Sequence, residues 1–237
     1  MPERVSLDEI SKQKGKRKFV TVVSDLDESS LLEVIDSHKS EEIIEVLKAQ
    51  PIDIRENVKE VSVDMWGGFQ KVNKEVFPNA LKVIDRFHAM KLVNKALNTL
   101  RLLLGFKGLK NRCLLLKNGE DLTPEEKTEL LQLFCQSPCL GIAYELKEEF
   151  REIYETSKTV KMGLRRFKKW LIYARIMLGQ VANTINKYIQ EICHYFVSGT
   201  TSGVMEGLNN KIKLILRQSY GFKDFDTMRE KLLACLF

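Results

Sequence analysis

Apolar and polar positions along this chain follow two different periods. Up to about residue 85 the apolar residues fall in short runs: Arg4 to Leu7, Phe19 to Ser24 and Leu31 to Ile35. The basic turn KQKGKRK separates the first two runs and the polar turn DLDESS the next two, which predicts an antiparallel meander of three strands. SEEIIEVLKA then predicts a helix capped by Ser40, with acids in its first turn where the helix dipole favours them, and Pro51 following its end. In VKEVSVDM, Val61 and Val63 alternate with polar neighbours, as in a strand with one buried face, and the run leads to Asp64. A helix from about Trp66 to Phe77 and a strand, ALKVI, ending at Asp85 complete this part.

Three meander strands followed by helix, strand, helix, strand is the order of an RNase H-like α/β core with a mixed sheet. From Ala89 to about Val197 the period turns helical, through MKLVNKALNTLRLLL, AYELKEEFREIYE, GLRRFKKWLIYARIM and VANTINKYIQEICHYF. TPEEKTELLQLF opens with a capping box: Thr123 as cap, Pro124 at the first helical position and Glu126 three residues after the cap. The expected organisation is therefore residues 1–88 as the first part of the core, 89–197 as a large all-helical insertion, and 198–237 as helices completing the core.

The last long helix is amphipathic. At 100° per residue Val204, Met205, Leu208, Ile212, Ile215 and Leu216 share an arc of about 120°. Glu206, Asn210, Lys213 and Arg217 lie opposite, at spacings of four, three and four. Such a face is either simply solvated or one acid, one amide and two cations presented to a ligand.

Composition narrows the function classes. Among 237 residues, 30% are charged and 44% hydrophobic, which is globular rather than disordered. A net charge of +6 and a pI of about 9.0 favour an anionic partner, nucleic acid first. There is no apolar run of about 18 residues to span a membrane, and MPERVSLDEI lacks a secretory core, so a cytoplasmic protein is expected. Five cysteines without a CxxC pair argue against a disulfide framework or a zinc site and predict reduced, buried thiols.

If the first strand and the one leading to Asp64 are parallel neighbours, Asp8 and Asp64 leave the sheet from one edge, beyond which ligands of open α/β sheets bind. Carboxylates converging there suit two magnesium or manganese ions about 3.5–4 Å apart, the spacing used for phosphoryl transfer. Glu206 is the third candidate. Glu9 is an alternative to Asp8, while Asp25 and Asp27 end an antiparallel strand and belong at the opposite edge.

RVSLDEISKQKGKRKFVTVVSDLD, VSVDMWGGFQKVNKEVFPNALKVIDRFHAMKLVNKAL and SGVMEGLNNKIKLILRQSYGF together resemble the three characteristic blocks of bacterial DDE transposases of the ISL-three insertion-sequence family. The resemblance extends over nearly the whole chain and implies an RNase H-like fold with a helical insertion before the catalytic glutamate. It implies Asp8, Asp64 and Glu206 as the catalytic, metal-holding triad and two Mg2+ or Mn2+ ions as cofactor. The implied reaction is attack of water on a phosphodiester at a transposon end, followed by attack of the freed 3′-hydroxyl on target DNA. Transposon ends and target DNA are then the partners, with a homo-oligomer possible on DNA, and Asn210, Lys213 and Arg217 extend from Glu206 toward the phosphates.

Two stretches keep two readings each. Asp85 and His88 match a family pattern near the active site, and Asp85 equally suits a cap for the helix starting at Arg86. In LRRFKKW, Arg165, Arg166, Lys168 and Lys169 suit DNA contact with Phe167 and Trp170 as stacking platforms, or the aromatics belong to an amphipathic core helix. Family members usually carry a zinc-binding segment and a helix-turn-helix ahead of the catalytic core, whereas this chain starts seven residues before Asp8. The expectations in order are a transposase catalytic domain, a DNA-binding remnant without catalysis, and another RNase H-like nuclease.

Overall fold

The computed structural model describes residues 1–11, 19–199 and 203–237; the basic turn expected at 12–18 and the side chain of Val204 lie outside the described residues. The chain forms two compact units, Met1–Asp85 with Gly199–Phe237, and Arg86–Ser198. The first contains β1 (Arg4–Ser11), β2 (Phe19–Asp25), β3 (Ser30–Ile35), α1 (Ser40–Lys48), α2 (Ile52–Glu56), β4 (Glu60–Val63), α3 (Gly67–Val76) and β5 (Leu81–Ile84). The second contains α4 (Arg86–Leu103), α5 (Leu109–Leu116), a 3-10 turn (Gly119–Asp121), α6 (Pro124–Gln136), α7 (Pro138–Thr156), α8 (Val160–Leu178), α9 (Gln180–Lys187), α10 (Ile189–Cys193) and α11 (Tyr195–Ser198). The chain then returns to the first unit as α12 (Gly203–Gln218) and α13 (Phe225–Leu236).

The sheet runs β3-β2-β1-β4-β5, antiparallel across its first three strands and parallel from β1 through β4 to β5. This is the mixed RNase H-like sheet that the element order predicts. All four residues of β4 are buried, as a central parallel strand requires. Strand alternation puts Ile10, Val20 and Val22 on one face, where they pack with Leu208 and Ile212 of α12 and Met228 and Leu232 of α13. Fully burying each such aliphatic side chain contributes about 1.5–3 kcal/mol, so this layer fixes α12 against the sheet. Arg229 adds a two-pronged tie from α13 to β3, both contacts with Glu33 being 2.6 Å.

Two local expectations change, and one element is additional. Ser40 does not cap α1; Lys39 occupies the cap position without a side-chain capping bond, and Ser37 Oγ accepts from the Lys39 N–H instead. The run after Pro51 forms the short helix α2. Of the five cysteines, Cys113, Cys135, Cys139 and Cys235 are exposed; Cys193 alone is buried, and burial pushes its thiol up to about 12.

The second unit closes around Phe150, Phe167 and Trp170, all fully buried. Thr123 and Glu126 form the expected capping box on α6. Lys147, 1% exposed, donates to the Lys117 carbonyl and pairs with Glu148, each at 2.6 Å. Burial pushes the Glu148 carboxyl up, but Lys147, the Gly119 N–H and Arg151 outweigh that and hold it below its ordinary value of 4.5. A carboxyl depressed by folding stabilises the native state above its unfolded pKa and loses that contribution as pH falls through the folded one. Acid melting curves below about pH 4.5 are therefore expected to be shallower for Glu148→Gln, whose side chain does not titrate.

Candidate active site

The last paired rungs of the three parallel strands are Leu7 with Val63 and Val63 with Ile84. One residue further on each strand stand Asp8, Asp64 and Asp85. Neighbouring strands are about 4.8 Å apart, so the three acids form a row across the end of the parallel pairing. The N–H of Asp85 donates to the Val63 carbonyl at 3.1 Å, and Asp85 itself is 8% exposed. It directly precedes α4, on whose first turn His88 lies edge-on to Phe87. Strand β1 continues beside β2 to Ser11, so Asp8 is mid-strand rather than terminal. The row marks where β1 loses β4 as a neighbour.

Asp8 lies on the Ile10 side of β1, the side that α12 covers. Its Oδ1 accepts from the Glu9 N–H at 2.8 Å, and its Oδ2 accepts from Asn209 Nδ2 at 2.6 Å. Asp64 Oδ1 accepts from the Trp66 N–H at 2.7 Å, which turns the chain into α3. Glu206 is exposed on α12, three residues before Asn209 and so on the same flank, about 4.5 Å along the axis. Asn210 is exposed, while Asn209 beside it is the amide that meets Asp8. Its signal in the sequence was its place at the border between the apolar arc and the polar face.

Glu9 points to the other side of β1. Burial, then the negative charges of Asp64 and Asp8, push its carboxyl up, with His38 opposing them. His38, which carries no motif in the sequence, thus belongs to the surroundings of the acids. Asp25 pairs with Val5 at the far end of β1 and accepts from the Asp27 and Glu28 N–H groups at 2.7 and 3.1 Å, while Asp27 pairs with Arg4. Those two acids hold a turn at the opposite edge.

A transposase family model, that of the ISL3 DDE group, matches residues 5–232. The chain belongs to this transposase family. It is 27% identical over 253 residues to the transposase for insertion sequence element IS1557 of Mycobacterium tuberculosis, covering 93% of this chain and 57% of that protein. It is 23% identical over 237 residues to the transposase for insertion sequence element IS1001 of Bordetella parapertussis, covering 94% and 58%. This transposase-family chain therefore spans little more than half the length of these relatives.

Among the described residues of this transposase-family chain, no three His, Cys, Asp or Glu side chains stand close enough to hold a metal ion between them. Asp8 and Asp64 nevertheless fit a hard divalent cation as oxygen donors. Their combined charge is already felt by Glu9, and the buried Oδ1 of Asn209 beside Asp8 accepts no hydrogen bond among the described residues. Along α12, Met205, Leu208 and Ile212 are buried while Glu206, Asn210, Lys213 and Arg217 are exposed. On α8 the aromatics Phe167 and Trp170 are core residues, and Trp170 Nε1 donates to the Leu146 carbonyl at 2.8 Å. Arg165, Lys168 and Lys169 are exposed without an ion pair among the described residues, whereas Arg166 is engaged by Glu152 and Thr156. A groove of about 480 Å³ runs along Thr159, Lys161, Met162, Arg165, Arg166 and Lys169. No helix is long and apolar enough to cross a membrane among the described residues.

Proposed function

We propose that this chain is a transposase catalytic region that cleaves DNA at transposon ends and joins them to target DNA. The observation that carries this reading is that Asp8 and Asp64 each directly follow the last paired rung, Leu7 with Val63, of the parallel β1–β4 pair. Asp8 and Asp64, with Glu206 from α12, are the residues that would hold two Mg2+ or Mn2+ ions. When bound, such ions supply charge stabilisation to the attacking and leaving oxygens of phosphoryl transfer.

The protein's own part is orientation. Asp8 and Asp64 are each held by a backbone N–H, so each carboxylate has its orientation partly set in advance and little freedom to lose. Asp85, one residue past the last β5 rung, supports this edge. Asn210, Lys213 and Arg217 on α12, and Arg165, Lys168 and Lys169 on α8, bind phosphates along the DNA and fix its register. Arg166, with Glu152 beside it, contributes less. The protein works in the bacterial cytoplasm on chromosomal DNA, as a homo-oligomer when two ends are joined together.

The test is joining of pre-cleaved element ends to target DNA by the purified chain with Mg2+ or Mn2+. Metal-dependent joined product supports the reading. Cleavage without joining would favour a hydrolytic RNase H-like nuclease, and DNA binding with neither reaction would favour a remnant. For the DNA surfaces, Lys213→Ala, Arg217→Ala and Lys169→Ala are each expected to reduce the slope of log affinity against log salt by about 1, on any DNA sequence. Unchanged slopes from fluorescence anisotropy titrations at several salt concentrations would remove these residues from the DNA surface.

A further inference from the structure

We propose that Asn209 is the positioning residue for Asp8, setting the carboxylate orientation in which Asp8 takes up a divalent cation. This rests on Asp8 being a metal ligand, as proposed above. The two side chains are 201 positions apart and meet at 2.6 Å. An ionised carboxylate only accepts hydrogen bonds, so the amide must turn Nδ2 toward Asp8 and Oδ1 away from it. With the Glu9 N–H on Oδ1 at 2.8 Å and Asn209 on Oδ2, each oxygen of Asp8 carries a donor, which fixes the plane of the carboxylate from two sides.

Asn209 is itself held in place. Leu208 and Ile212, one residue before and three after it, are buried in the layer between α12 and the sheet. The hydrogen bond therefore joins a fixed point on α12 to Asp8. Because Glu206 lies three residues earlier on the same helix, the same bond sets the distance between the two acids. Groups that orient metal ligands in this way typically account for about 10–100-fold in metal affinity.

The experiment is calorimetric titration of Mn2+ into the full chain, with thermal melting beside it. Asn209→Leu keeps the branched side-chain shape but loses the donor, and is expected to weaken Mn2+ binding about 10–100-fold in protein that remains folded. Asn209→Ala should weaken it at least as much, and Asn209→Gln, which retains a longer amide, should recover part of the loss. Wild-type Mn2+ affinity in Asn209→Leu, with only the melting temperature lowered, would overturn the proposal and leave Asn209 as a tie between helix and sheet. Asp8→Asn provides the separate control. If that variant binds Mn2+ like wild type, Asp8 is not a ligand and the underlying reading fails, whatever the Asn209 variants do.

Discussion

Asp64→Asn is expected to lower DNA joining by roughly three orders of magnitude or more while leaving the fold intact. On the proposed reading a cation held by this carboxylate would contribute several kcal/mol of transition-state stabilisation, and about 1.4 kcal/mol corresponds to a factor of ten in rate. Structure should be spared because Asp64 Oδ1 accepts the Trp66 N–H at 2.7 Å, and the amide oxygen of Asn can accept the same bond. Removing the charge also relieves Glu9, which Asp64 pushes upward after burial does. Joining rates from matched amounts of wild type and variant, with melting curves for both, check the two halves of the expectation. A variant that joins DNA at near wild-type rate would exclude Asp64 from the chemistry, and one that no longer folds would show that its role is to start α3.

The largest effect on stability is expected in the second unit. Trp170→Ala should cost about 3–5 kcal/mol, the usual range for deleting a large aromatic from a packed core. Trp170 is fully buried, its ring centroid is 4.8 Å from that of Phe150, and its indole N–H is bonded to the Leu146 carbonyl. The truncation therefore removes packing on α7 and α8 together and takes away the indole N–H that the Leu146 carbonyl accepts from. Denaturant unfolding measures the loss, and a value under about 1 kcal/mol would mean that the unit repacks around the gap. Below the melting transition DNA affinity should hold, because the aromatics of LRRFKKW face inward and only the cations between them reach solvent.

The sequence was most readable where one period ran without interruption. Val61 and Val63 marked β4, the Thr123 box marked α6, and the apolar arc of α12 came through at Met205, Leu208 and Ile212. β1 was read short because Asp8 and Glu9 interrupt its apolar pattern, although the strand continues to Ser11 through pairing with β2, a long-range contact. The stretch from Val181 to Phe196 has one helical period but folds as three short helices, broken at Tyr188 (φ −108°, ψ 18°) and at His194 without a Gly or Pro to announce either. Ser40 had the chemistry of a cap, yet the preceding turn is held by Ser37. At the site, two acids could be placed because parallel strands in register carry them to one edge. Asn209 could not, since its role depends on how α12 is rotated against the sheet, and a helical projection resolves that only to within a residue or so. His38 was out of reach for the same reason: its proximity to Glu9 is created by the sheet and not by spacing.

The two tryptophans are divided between the two units, one in each. Trp66 lies partly exposed two residues after Asp64, its ring covering Gly68 so closely that a Cβ there would be 2.1 Å from it. Trp170 is sealed from solvent. Intrinsic emission is thereby already split into a wet signal beside the carboxylates and a dry one inside the helical unit. A neutral quencher such as acrylamide is expected to quench the first more than the second, so a single cuvette can follow events at the acidic row and the integrity of the helical unit independently, with no label attached.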